Sequence, residues 1–184
     1  MTRIFSMLAV LSTALLIVTF GLGWNIGDAT LRDPAVQNRV SVHFLTAVAA
    51  LCCAIGVHAI VLTYFMGTGR WLEETCIAYR LGSDWQARSK NLKWRLYPAM
   101  TFGIALLIVT GAFGGAADPA SAFGFRGIGP FTAAQVHMAV AGGTLIYNMI
   151  VNGFEFLAVQ RNSVIVNEVL GRVRQIRIEK GLEV

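Results

Sequence analysis

Three histidines are the residues of this 184-residue chain best suited to chemistry. His43 and His58 bound the apolar segment HFLTAVAALCCAIGVH, and His137 stands near the start of a later apolar segment. A neutral imidazole is a common metal ligand and also carries protons near neutral pH. Because polar groups are costly inside apolar segments, they normally mark a site or a pathway there. The histidines therefore indicate metal or proton chemistry within the apolar part of the protein.

The apolar segments predict the elements that position these histidines. Hydrophobic residues make up 55% of the chain and charged residues only 14%, whereas a soluble domain carries about a quarter charged residues. Four charge-free stretches each reach the roughly 20 residues that a helix needs to cross a bilayer. The spans are predicted at about 4–24, 38–66, 95–117 and 131–160. The predicted fold is an all-α four-transmembrane-helix bundle, a single membrane domain over residues 1–184.

The segments outside the spans are predicted to be cytoplasmic amphipathic helices. Residues 71–94 and 163–182 alternate apolar and charged side chains at helical spacing, as in helices that lie on a membrane surface or contact a partner subunit. Gly67 and Gly69 are expected to end the second helix, and Pro98 is expected in the first turn of the third. We find no internal repeat in the sequence.

The distribution of basic residues predicts the orientation. The N-terminus, the second loop and the tail carry 12 of the 15 lysines and arginines, and the other two loops carry 3. The positive-inside rule therefore places both termini in the cytoplasm, in the inner membrane of a bacterium. The net charge of +5 belongs to that face, so its partner is membrane lipid, and we expect no nucleic-acid partner.

The depths of the histidines indicate which of them act together. His43 and His137 each lie a few residues into helices that descend from the outer side, so they are expected at one level. Ala47 and Ala141, one turn further on, leave room for a bulky group beside the helices. Two imidazoles on facing helices can bind both axial positions of a haem b iron. Arg39 and Arg126, near the same boundary, are suited to pair with its propionates. Chlorophyll-type magnesium or another metal is an alternative occupant.

A second polar group is predicted deeper in the bundle. His58 lies roughly 22 Å below His43 at about 1.5 Å per residue, and it is expected level with Asn152. With Asn148 and Glu155 on the same helix face, it forms a possible inner polar or quinone pocket. The alternatives are a hydrogen-bond network between helices and a Glu155 carboxylate solvated at the cytoplasmic interface. A second, inner haem is not expected, because Asn152 stands where a fourth histidine is needed.

These histidine positions resemble those of a known family. Histidines on the second and fourth helices of a four-helix bundle, about four turns apart on one of them, are similar to the haem-bearing helices of the cytochrome b superfamily and related respiratory membrane anchors. The resemblance implies an electron-transfer subunit that passes electrons to or from quinone or a partner subunit of an oxidoreductase. The alternatives are a cofactor-free structural or assembly subunit of a respiratory or photosynthetic complex and, third, a small transporter. Cys52, Cys53 and Cys76 form no CxxCH motif, so covalent haem attachment is not expected.

Overall fold

The structure, a computed structural model, describes residues 1–182. This part of the chain is 82% helical and contains four helices. They are α1 (Thr2–Trp24), α2 (Pro34–Ala78), α3 (Asp84–Ala117) and α4 (Ala133–Glu179). Each is long and apolar enough to cross a membrane, which confirms the all-α, four-span prediction at that level. A short antiparallel hairpin, β1 (Gly127–Ile128) and β2 (Phe131–Thr132), precedes α4.

The helices form a four-helix bundle in which α2 and α4 lie diagonally opposite each other. Helix α1 packs mainly on α2 and α4, and α3 packs mainly on the same two helices, so the order around the bundle follows the chain. The exterior carries large apolar side chains, such as Met7 at 73% and Val10 at 70% exposure. Soluble proteins rarely expose so continuous an apolar surface. The bundle therefore has the surface expected of helices that face lipid.

Capping residues fix where α2 and α4 begin. The Asp33 side chain accepts a hydrogen bond from Ala35 N at 2.7 Å, with Pro34 at the first helical position. Thr132 and Gln135 form a reciprocal capping box at the start of α4. Since a helix rises by about 1.5 Å per residue, these caps determine how far into the bundle the histidines of α2 and α4 lie.

Three helices extend well beyond the predicted spans. Helix α2 continues through Gly67 and Gly69 to Ala78, and α4 continues to Glu179. Helix α3 begins at Asp84, so Pro98 lies inside it and not in its first turn. The expected boundaries at these residues are wrong, because a glycine permits a helix to continue, and a proline removes one backbone donor without ending the helix when tertiary contacts hold both sides.

The two segments predicted to be amphipathic helices are helical and pack on one another. We call residues 67–94 together with 161–179 the helical extension. Leu72, Ile165 and Val169 form its buried core, at 3% exposure or less. Partly buried side chains surround that core: Trp71, Leu81, Trp85, Leu92 and Val173. The apolar stripes of these segments therefore cover each other in part, while side chains such as Ile77 at 73% and Ile178 at 60% stay exposed.

Candidate functional site: a histidine pair and a buried polar cluster

The structure brings His43 and His137 together across the centre of the bundle. Their ring centroids are 6.3 Å apart and the ring planes make an angle of 72°. His43 Nδ1 donates a hydrogen bond to the backbone carbonyl of Thr19 at 3.1 Å. That bond fixes the tautomer and leaves Nε2 with its lone pair, the form in which imidazole binds a metal. The depth match seen in the sequence thus corresponds to a direct contact between diagonal helices.

A glycine lies against each of the two rings. A Cβ atom added at Gly23 of α1 would stand 2.9 Å from His43 Cε1. A Cβ added at Gly114 of α3 would stand 3.0 Å from His137 Cε1. Carbon atoms in favourable contact are separated by about 3.5–4.0 Å. These two positions therefore admit no side chain while the imidazoles stay where they are.

The contacts around the pair reveal a repeat in the sequence. The hexapeptide ALLIVT occupies residues 14–19 of α1 and residues 105–110 of α3, an offset of 91. The same offset relates Gly23 to Gly114, the two glycines that contact the histidine rings. It also relates buried positions lower in the helices, which pair as Phe5 with Leu96, Ala9 with Met100, and Ser12 with Gly103. Helices α1 and α3 are therefore equivalent elements.

Helices α2 and α4 show the same equivalence at an offset of 94. That offset relates His43 to His137. It also pairs a continuous series of buried residues: Ala50 with Thr144, Ala54 with Asn148, Val57 with Val151, His58 with Asn152, Val61 with Glu155, and Phe65 with Val159. The expectation that the chain has no internal repeat is wrong. Two helical hairpins, α1–α2 and α3–α4, correspond in their histidines, in the glycines that contact the rings and in their buried positions.

The two histidines of the pair differ in the hydrogen bonds that their rings make. Thr19, whose carbonyl accepts from His43, corresponds to Thr110 at the offset of 91. However, His137 Nδ1 is buried and has no well-formed hydrogen bond within residues 1–182. The equivalent alanines Ala47 and Ala141 are half-buried below the rings, as expected from the sequence. This leaves one imidazole anchored and the other with an unused polar atom.

Arg39 and Arg126 lie at the same end of the bundle as the histidine pair. Arg39 is one turn before His43 in α2, and Arg126 directly precedes β1. Both are exposed, and neither has an ion-pair partner in the part of the chain that the structure describes. Both guanidinium groups are therefore exposed at that end of the bundle.

The ligand set limits what the histidine pair can hold. No group of three or more His, Cys, Asp or Glu side chains suited to a metal ion occurs among residues 1–182. An ion between these rings would thus have two protein ligands and would bring its other ligands with it, as haem iron does. With metal–nitrogen bonds of about 2 Å and ring centres about 1 Å beyond each nitrogen, two axial imidazoles stand about 6 Å apart. The observed 6.3 Å fits that arrangement.

Deeper in the bundle, His58 is held between two side chains of α4. Its Nδ1 lies 2.6 Å from Glu155 Oε1, and its Nε2 lies 3.0 Å from Asn148 Oδ1. All three residues are at most 1% exposed. The three side chains form a closed polar cluster, which we call the inner cluster.

This arrangement differs from the expected pairing of His58 with Asn152. Asn152 instead donates to Thr13 Oγ1 of α1 at 3.2 Å. Asn148 and Glu155 lie one turn above and one turn below Asn152 on the same face, so the two ring nitrogens of His58 reach them. Glu155 is fully buried, and the alternative of a solvated carboxylate is wrong. The sequence feature that indicated Glu155 was its position on the polar face of α4, which it reaches from Asn148 by steps of four and three residues through Asn152.

Comparisons with known proteins identify no relative of this chain. A scan against protein-family models, a search of curated proteins and a search of solved structures each found no match to this chain. The resemblance to the cytochrome b superfamily therefore stays a prediction. In the structure, each of the two equivalent hairpins contributes one histidine to a pair at a shared centre.

Proposed function

We propose that this protein is a membrane-embedded, b-type cytochrome-like electron-transfer subunit. It holds one haem b between His43 and His137 and passes electrons to or from quinone or a partner subunit. The observation that carries the proposal is the pair of imidazoles from diagonal helices with centroids 6.3 Å apart. When bound, the haem supplies reversible one-electron transfer at its iron.

Residues of this chain have distinct roles in the proposal. His43 and His137 would hold the haem iron, and the Thr19 carbonyl orients the first of them through Nδ1. Gly23 and Gly114 let α1 and α3 approach the rings closely. Arg39 and Arg126 pair with the propionates at the outer end. The apolar walls of the bundle exclude water, which lowers the local dielectric and tunes the reduction potential.

The proposal includes insertion in the inner membrane of a bacterium. Helix α2 has 45 residues and α4 has 47. At about 1.5 Å per residue each exceeds 65 Å, about twice the roughly 30 Å hydrocarbon core. The bundle that contains the histidines is the apolar part, so the helical extension, with its arginines and lysines, stands in the cytoplasm together with both termini. Its exposed surface is suited to contact other subunits of a complex.

A visible absorption spectrum tests this function. The full chain, produced with a haem supply and purified in lipid nanodiscs, is expected to show a sharp α-band in the reduced-minus-oxidised spectrum, with one haem per chain. The absence of that band in a folded preparation would refute the proposal and favour the cofactor-free structural or assembly subunit.

Histidine variants test the ligand assignment separately. His43→Ala and His137→Ala are each expected to abolish the α-band, because haem iron with a single axial imidazole is no longer low-spin. His58→Ala, in the inner cluster, is the matched control and keeps the band. Circular dichroism melts confirm that the variants are folded. An unchanged band in either of the first two variants would show that another residue binds the iron.

A further inference from the structure

The inner cluster is placed far from the outer end of the bundle, where the proposed haem lies. Glu155 follows His137 by 18 residues in α4, or about 27 Å along the helix. It precedes Arg161, where the charged extension begins, by only six residues, or about 9 Å. The inner cluster is therefore close to the end of the bundle that the extension covers, and it takes no part in the proposed haem site.

The internal repeat shows that the bundle does not need polar groups here to pack. The position equivalent to Asn148 is Ala54, and the position equivalent to Glu155 is Val61, and both are as buried as their counterparts. Apolar side chains thus occupy the same packing positions in the other hairpin. Replacing a buried ion pair by apolar residues is often neutral or stabilising. The inner cluster therefore adds something other than packing to the α3–α4 hairpin.

The hydrogen bonds define the proton that the inner cluster holds. Asn148 Oδ1 accepts from His58 Nε2, so that nitrogen carries a hydrogen. The remaining short contact, 2.6 Å between His58 Nδ1 and Glu155 Oε1, contains one proton that either group can hold. Glu155 Oε2 and Asn148 Nδ2 are buried with no hydrogen-bond partner in residues 1–182. A low-dielectric site favours the net-neutral state with one shared proton over either charged state.

We propose that His58 and Glu155 form a proton-binding site inside the bundle. The site exchanges its proton with water at the Arg161 end. Release leaves a glutamate carboxylate beside a neutral imidazole, and binding of one proton from water restores the neutral pair. Two polar contacts lie between the inner cluster and that end: Tyr64 OH is 3.2 Å from Ser163 Oγ, and Ser89 donates to Asn162 at 2.6 Å.

The packed helices carry other titratable side chains in the spanning part. The neighbouring helices and the helices of the pair itself contribute phenols and one thiol to the spanning part: Tyr97 from α3, Tyr64 and Cys53 from α2, and Tyr147 from α4. Helix α1 contributes Ser12 and Thr13, which do not titrate in water, and the charged Arg3, which lies ten residues before Thr13 toward the end of the bundle where Arg161 lies. Of these titratable groups, the His58 imidazole and the Glu155 carboxyl group are the two in direct contact with each other, at 2.6 Å.

Infrared difference spectroscopy tests the proposal on the full chain in lipid nanodiscs. Between about pH 5 and about pH 9, a range that brackets the reference imidazole pKa, we expect a change in the carboxyl and carboxylate bands equal to one residue per chain. Glu155→Gln is expected to remove that change. His58→Asn, which introduces the residue of the equivalent position, is expected to shift it by at least one pH unit. Asn152→Ala, which disturbs only the contact to Thr13, is the matched control and leaves it in place.

Two results would overturn the proton-binding site. One is a wild-type spectrum with no buried carboxyl change over this range, which identifies a fixed structural pair. The other is a change that persists in Glu155→Gln, which assigns it to another group. The measurement needs no haem, so its outcome is separate from that of the absorption spectrum. Glu155→Val, the residue at the equivalent position of α2, is expected to fold and gives the same readout if Glu155→Gln does not.

Discussion

Substitution of Gly114 by alanine tests whether the glycine against the His137 ring serves the histidine pair. The added Cβ would stand 3.0 Å from Cε1 of His137. Since carbon contacts are favourable at about 3.5–4.0 Å, the imidazole has to move by a few tenths of an ångström. Metal–ligand distances tolerate only about 0.2 Å. Such a displacement is too large for His137 to keep its bond to an iron held by His43.

The expected result is a loss of haem affinity of about 10- to 100-fold, the range found when the surroundings of a metal ligand are disturbed. Haem titration of the apo-protein, followed by the α-band, measures it. Gly115→Ala is the matched control, because nothing lies within 4 Å of its added Cβ. It changes helix propensity in the same way, by roughly 1 kcal/mol in favour of the helix. The pair Gly23→Ala and Gly21→Ala repeats the comparison in α1, with a contact of 2.9 Å at Gly23 and none within 4 Å at Gly21.

Equal haem affinity in Gly114→Ala and Gly115→Ala would refute the reasoning. It would mean that the ring of His137 can move freely, or that it is not a ligand. Equal effects at Gly23 and Gly114 would support the equivalence of the two hairpins, since each glycine then restrains its own histidine to the same degree.

Further predictions concern the helical extension and the membrane. Leu72→Ala is expected to destabilise the extension by about 2–4 kcal/mol, because Leu72 is fully buried. Thermal denaturation measures this loss of stability. An equal effect from Ile77→Ala, which is 73% exposed, would contradict the packing. Hydrogen bonds from Arg88 lower the pKa of Glu168, so this carboxylate stabilises the fold above its unfolded pKa and the effect is lost as the pH falls through the lower, folded pKa. Glu168→Gln should therefore lower the melting temperature slightly at neutral pH and not in strong acid, and a difference that is independent of pH would exclude the ion pair as its cause. The protein is expected to stay in bacterial membranes after an alkaline carbonate wash, with a C-terminal reporter active in the cytoplasm; release by the wash, or a reporter active outside, would contradict the proposed topology.

The pattern of apolar and charged residues was sufficient to predict four helices and the approximate spans. Charge-free segments of this length have few alternatives to a helix, because the backbone must satisfy its own hydrogen bonds. The sequence also indicated that His43 and His137 lie at one depth, since helix rise is constant and both follow a loop at the same end. It could not place the helix ends. Gly67, Gly69 and Pro98 all have local signals for a boundary, and contacts between segments far apart in sequence override them.

The tertiary structure alone decided which side chains meet. His58 was expected opposite Asn152, yet its two ring nitrogens bind Asn148 and Glu155, one turn to either side, because hydrogen-bond geometry and not equal depth selects the partner. The repeated hexapeptide ALLIVT already gives the offset of 91 between α1 and α3 in the sequence. The buried positions, and the two glycines against the two histidine rings, show that this offset and the offset of 94 between α2 and α4 relate packing positions. The sequence determined the helices and the depth of the histidines within them, and tertiary packing determined which helix faces contact one another.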